Sequence, residues 1–147
     1  MKKAALPVLL SASLLGGCGL IDGVNNTLAY VNEATEYANE ANTFAEEAPA
    51  LAERAITDPQ AAQELETKLE GMKEDIEEFN ELDAPEVASD LHQQVVDQNN
   101  RALEGIEVYL SNMENGQLDP SVLENTEVFR TLNKLTSLLE QIQQFGE

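Results

Sequence analysis

One thiol, one imidazole and 28 carboxylates are the reactive groups that this chain of 147 residues offers. The thiol is Cys18 and the imidazole is His92. A hydrolytic triad would have to bring Ser89, Ser111, Ser121 or Ser137 to His92, and nothing in their spacing signals that arrangement. A di-metal site in a helical bundle repeats Glu-x-x-His on two helices. Here the residue three before His92 is Ser89, and there is no second histidine. The same scarcity excludes zinc sites with several nitrogen or sulfur ligands. No nucleophile elbow, phosphate-binding glycine loop or EF-hand ligand pattern is present. His92 is therefore expected to be a surface or half-buried helix residue. The carboxylates are the remaining candidates. Glu66, Glu70, Glu74, Glu77 and Glu81 form one helical stripe. Paired carboxylates can hydrolyse glycosides when burial keeps one protonated, and they can bind hard cations. This stripe lies opposite an apolar seam, so it reads as a solvated face. There is also no tryptophan to stack a sugar. No catalytic residue, metal site or cofactor is expected.

Cys18 is different, because its surroundings specify a chemistry. Met1-Lys2-Lys3 is a short positive start, Ala4 to Leu15 is apolar, and Gly16-Gly17 precedes the cysteine. The apolar run is about 12 residues, short of the roughly 20 that a spanning helix needs. A secretory signal would end in an A-x-A-like site with no required cysteine. Leu15-Gly16-Gly17-Cys18 resembles the lipobox of bacterial lipoprotein signal peptides. In such peptides the sulfur receives a diacylglyceryl group, and the chain is cut before the cysteine. Each buried methylene contributes about 0.8 kcal/mol, so two or three acyl chains make a stable anchor. Gly19 follows the cysteine, where inner-membrane retention in Gram-negative cells uses an aspartate. The expected division is a signal peptide at 1–17, a lipid-anchored tether at 18–24 and a helical domain at 25–147.

Cleavage there would remove two lysines and no acid, taking the net charge from −20 to −22. Such a surface disfavours nucleic acid and anionic headgroups, both polyanions. With no second cysteine, no intramolecular disulfide is possible, and the fold must rest on packing.

The elements that carry these residues are helical. Thr27, Tyr30, Ala34, Tyr37, Ala41, Phe44, Ala48, Leu51 and Ala55 follow in steps of three and four, a bulky residue alternating with alanine. Pro49 lies inside this pattern and predicts a kink one turn earlier. Asp58-Pro59 caps the next helix, whose seam is Ala62, Leu65, Leu69, Met72, Ile76 and Phe79. Leu82-Asp83-Ala84-Pro85 ends it. A third helix is apolar over a wide arc, interrupted by Gln98 and Asn99, and Asn115-Gly116 reads as its stop. Asp119-Pro120 caps a short first turn, and Asn125 caps the helix bearing Val128, Leu132, Leu135, Leu139 and Ile142. No strand alternation appears. The fold class is all-α, an antiparallel bundle of four helices.

The chain also resembles a family of small, uncharacterised Gram-positive lipoproteins. The resemblance rests on Leu15-Gly16-Gly17-Cys18-Gly19-Leu20, Gly23-Val24-Asn25-Asn26-Thr27-Leu28 and Tyr30-Val31-Asn32-Glu33-Ala34-Thr35. Ala48-Pro49-Ala50-Leu51-Ala52, Phe79-Asn80-Glu81-Leu82 and Leu118-Asp119-Pro120 extend it along the chain. It implies a lipid anchor at Cys18 and a helical extracytoplasmic domain, and it carries no catalytic residue. The expected protein is thus a non-enzymatic, lipid-anchored module on the outer face of a cell membrane. It would be structural or would bind an envelope protein or itself; weak divalent-cation or small-solute binding is the alternative. Matching helix lengths at about 1.5 Å per residue ends the second helix opposite Glu33. Leu20, Ile21, Val24, Leu28 and Tyr30 are then left beyond the bundle, beside the anchor. They form either an interaction surface, with Val24, Leu28 and Tyr30 as its residues, or an idle tether.

Overall fold

The computed structural model describes residues 18–147, and side chains from Gly23 onward. The expected signal peptide at 1–17 and the side chains of Cys18, Leu20 and Ile21 lie outside the described residues. Four helices make up the domain: α1 (Cys18–Ala55), α2 (Pro59–Asn80), α3 (Ser89–Ser111) and α4 (Glu127–Gln143). They pack up-down-up-down, with α1 against α2 and α4, and α3 against α2 and α4. The expected all-α antiparallel bundle is therefore the observed one.

The apolar seams account for the packing. The α1 seam is half-buried at its start, Thr27, and buried from Tyr30 to Ala55, as are Leu65, Leu69, Met72, Ile76 and Phe79 of α2. Val95, Ala102, Ile106 and Tyr109 of α3 and Val128, Leu132, Leu135, Leu139 and Ile142 of α4 complete the core. The kink expected before Pro49 does not interrupt α1, which runs through it as one helix. Nor is there a helix break between the expected tether at 18–24 and the bundle. Asp58 caps α2 as its sequence predicts, accepting from the Gln60 N–H at 2.9 Å, with Pro59 in the first turn. Asp119 does the same for a 3-10 turn at Pro120–Glu124, accepting from the Ser121 N–H at 2.8 Å.

One local reading is corrected. Asn115-Gly116 does not stop α3, which ends at Ser111. It is the two-residue loop of a small hairpin, β1 (Met113–Glu114) and β2 (Gln117–Leu118). Asn115 at φ 53° and Gly116 at φ 76° supply the two positive angles that such a loop requires. The hairpin buries Leu118 over the end of the bundle remote from Cys18.

Candidate functional site

Two polar contacts cross the interior between α1 and α3, which run parallel on opposite corners of the bundle. The Tyr37 hydroxyl donates to Asn99 Oδ1 at 2.6 Å, and Asn99 Nδ2 donates to Asn80 Oδ1 at 2.7 Å. Asn99 is wholly buried, and this chain satisfies it. Burial, and then the nearby Asp75 carboxylate, push the Tyr37 hydroxyl well above its ordinary pKa. One heptad towards Cys18, the Tyr30 hydroxyl and His92 Nδ1 are 2.9 Å apart. Phe79 packs against both rings, with centroids at 6.2 Å from Tyr30 and 5.1 Å from His92. Burial lowers the His92 pKa and pushes Tyr30 up to about 12, so both are neutral partners at neutral pH. His92 is half-buried, as expected.

These contacts decide the place of Tyr30. It is 4% exposed and belongs to the core. The expectation that the chain stands uncovered as far as Tyr30 is therefore wrong at that residue. The matching of helix lengths omitted the segments that follow α2 and α4. Leu82 and Ala84 pack against the core on one side and share the lining of a hollow with Tyr30. On the other, a 3-10 turn at Gln144–Gly146 packs on Val31, so closely that a Cβ at Gly146 would lie 2.8 Å from Val31 Cγ1.

Val24 and Leu28 do stand open, at 59% and 44% exposure. Among the described residues, the other exposed large apolar side chains are Val87, Val108 and Phe145. Val24, Leu28, Val87 and Phe145 line one groove of about 730 Å³. Three elements build it. The helical spacing of α1 places Val24 and Leu28 one above the other. The 3-10 turn at Glu86–Ala88 buries Ala88 and turns Val87 outward. The C-terminal turn holds its backbone on Val31 and leaves Phe145 on the groove side. Val87 lies in a linker and Phe145 on the flank of the fourth seam, so periodicity alone did not single them out. Along α1, Val24 is six residues from Cys18 and Leu28 ten, about 9 and 15 Å.

The acidic faces form a second feature. Glu66, Glu70, Glu74, Glu77 and Glu81 are exposed. Glu33, Glu36, Glu40, Asp75 and Glu78 line a shallow groove of about 230 Å³ between α1 and α2. Asp75 is pushed up to about 6 by burial first, and then by Glu40, Glu78 and Glu74. Among the described residues no cluster of His, Cys, Asp and Glu has the geometry to hold a metal ion. Lys68 pairs with Glu47 at 2.7 Å, and Lys73 with Glu107; these tie α2 to α1 and α3 at the surface.

A family model described as a family of unknown function (DUF6376) matches residues 30–145. The chain belongs to that family. Its match begins at Tyr30 and ends at Phe145, so the DUF6376 segment is the packed bundle itself. A protein of Bacillus subtilis (strain 168), described as the uncharacterized lipoprotein YybP, is 37% identical over 147 residues, 99% of each chain. That likeness runs beyond the DUF6376 segment into residues 1–29, where Cys18 and the groove residues Val24 and Leu28 lie. No solved structure matches the chain. Among the described residues no helix is long and apolar enough to cross a membrane.

Proposed function

We propose that this protein is a lipid-anchored, non-catalytic interaction module on the outer face of the cell membrane, with the groove beside its anchor as the working face. Leu15-Gly16-Gly17-Cys18 supports the anchor, and so does the lipoprotein description of the Bacillus relative. The observation that carries the reading is the gathering of Val24, Leu28, Val87 and Phe145 into one groove. Scattered exposed apolar residues need no explanation, but a gathered patch marks a contact surface. A second reading, weak and unselective binding of divalent cations, is favoured by the carboxylates that surround Asp75.

The test uses the full-length protein in its own membrane. A photo-activated cross-linking residue replaces Val24 or Leu28 in one set of cells and Gln63, on the exposed face of α2, in another. The groove positions should give discrete adducts that Gln63 does not. Cys18→Ala should abolish incorporation of a fatty-acid probe and leave an uncleaved precursor, and the groove adducts should weaken with it. Equal adducts from all three positions would remove the groove from the proposal. Normal lipid labelling of Cys18→Ala would remove the anchor.

A further inference from the structure

The groove does not sit in a neutral neighbourhood. The end of the bundle nearest Cys18 comprises residues 18–36, 75–98 and 138–147. These stretches hold 13 Asp and Glu residues and not one Lys or Arg. The six basic residues that follow Cys18 all lie elsewhere, from Arg54 to Lys134. Glu86 stands on the groove itself, and Glu33 and Asp83 line the hollow beside it. An apolar floor with Glu86 on its edge, Glu33 and Asp83 close by and no positive side chain at that end has a complement: a segment apolar on one face and positive around it. We propose that this groove docks a cationic amphipathic helix. The proposal rests on the interaction-module reading and gives that module's partner a chemistry.

Charge also separates this occupant from its competitors. A second copy would bring an equally acidic end to the same place, and like charges brought together oppose docking. An anionic bilayer would repel the rim for the same reason. A basic helix gains from both parts of the surface. Its apolar side chains fill the floor, a mode in which a helix lies in a hydrophobic groove with anchors three or four residues apart. Its lysines or arginines meet Glu86, Glu33 and Asp83. Salt then weakens the attraction, because the charged rim is exposed.

The test takes the full-length lipidated protein in phosphatidylcholine nanodiscs, whose headgroups carry no net charge. The probe is a fluorescent Leu/Lys amphipathic peptide of about 18 residues, five helical turns. One control replaces every Lys by Glu; the other replaces every Leu by Ser. The Leu/Lys peptide should bind at least about tenfold more tightly than either control, and more weakly as salt rises. Val87→Ser with Phe145→Ser should weaken it at least about tenfold while the melting temperature stays within a few degrees. Glu66→Gln with Glu70→Gln, on the solvated stripe, should leave it unchanged. Equal binding of the Ser/Lys peptide would show diffuse attraction between polyions and overturn the proposal. So would dimers in sedimentation that Val87→Ser with Phe145→Ser dissolves, which would give the groove to a second copy. Quenching of a fluorophore at position 87 by labelled lipid would give it to the bilayer and overturn the proposal as well. Cross-links in cells from Val24 to a protein without a basic helix would sink this chemistry and leave the interaction module standing.

Discussion

Tyr37 and Asn99 should behave as one unit, and a double-mutant cycle reads that directly. Tyr37→Phe removes the hydroxyl that donates to Asn99 Oδ1 at 2.6 Å. The carbonyl left behind is on a residue with no exposure. Leaving a buried acceptor without its donor costs about 1–3 kcal/mol. Asn99→Leu keeps the branching of the side chain and strands the Tyr37 hydroxyl instead, at a similar cost of about 1–3 kcal/mol. Asn80 also loses its donor in that variant, but it is half-buried and can reach water. The pair Tyr37→Phe with Asn99→Leu replaces the contact by hydrocarbon on both sides, which is close to neutral in buried sites. The expected cycle is two costly single changes and a double change within about 1 kcal/mol of the parent. In a domain of this size each kcal/mol moves the melting temperature by about 3–5 °C. Circular-dichroism melts and urea titrations measure all four proteins. A double variant whose loss equals the sum of the singles, within about 0.5 kcal/mol, would refute the coupling.

Gly105→Ala should destabilise the domain by about 1–3 kcal/mol, although alanine is the better helix former, because its Cβ would lie 2.7 Å from Val128 Cβ and force α3 from α4. Gly71→Ala in α2 meets nothing within 4 Å and should stabilise by about 0.5–1 kcal/mol in the same melts. Asp75 titrates near 6 in the fold, above the usual carboxylate value of 3.8. The folded state therefore holds its proton more tightly, and this group's penalty is full above about pH 6 and disappears as pH falls to 3.8. Asp75→Asn should raise the melting temperature at pH 7 and narrow the gain that the parent shows between pH 7 and pH 5. His92 works in the opposite sense. Its folded pKa is lowered, so protonation below about 6.5 favours the unfolded chain. A melting temperature at pH 7 no higher in Asp75→Asn than in the parent would refute the Asp75 part.

The four seams were legible because each repeats in steps of three and four, the pattern of a helix with one buried face. The caps at Asp58 and Asp119 were legible because the chemistry is local: a carboxylate, a proline and the next free N–H. The hairpin at Met113–Leu118 was not, since Asn-Gly serves equally as a helix stop and as a two-residue loop. Only the strands on either side decide between them, and here each strand is two residues long. Asn99 stood out as an interruption of an apolar face; its partner Tyr37 looked like any other bulky seam residue. At the groove, Val24 and Leu28 are read from α1 alone. Val87 and Phe145 join them only through the tertiary fold, because Val87 lies in a linker and Phe145, on the flank of the fourth seam, reads as core from the sequence. Tyr30 failed in the other direction, because counting helix rises leaves out the linker and the C-terminal turn that cover it.

The same repetition that makes α1 easy to read leaves it poorly specified. Val31-Asn32-Glu33-Ala34 and Ala38-Asn39-Glu40-Ala41 are near copies one heptad apart, followed by Ala45-Glu46-Glu47-Ala48 and Ala52-Glu53-Arg54-Ala55. An alanine seam of this kind fits its neighbours nearly as well after a slip of seven residues. The polar contacts do not. Tyr30 meets His92 and Tyr37 meets Asn99 at the same offset of 62 residues. That offset puts the next seam residue, Phe44, level with Ile106, both buried apolar groups. Down this diagonal the order is therefore polar, polar, apolar. Sliding α1 one heptad either way sets Tyr37 against Ile106 or Asn99 against Phe44. Either slip strands a buried polar group, at about 1–3 kcal/mol, where the alanines register almost no difference. The fixed register also sets the level at which α3 begins relative to α1. That level holds the Glu86–Ala88 turn, and with it Val87, beside Val24 and Leu28. The interior contact between α1 and α3 thus places one wall of the groove that faces outward at the Cys18 end of the bundle.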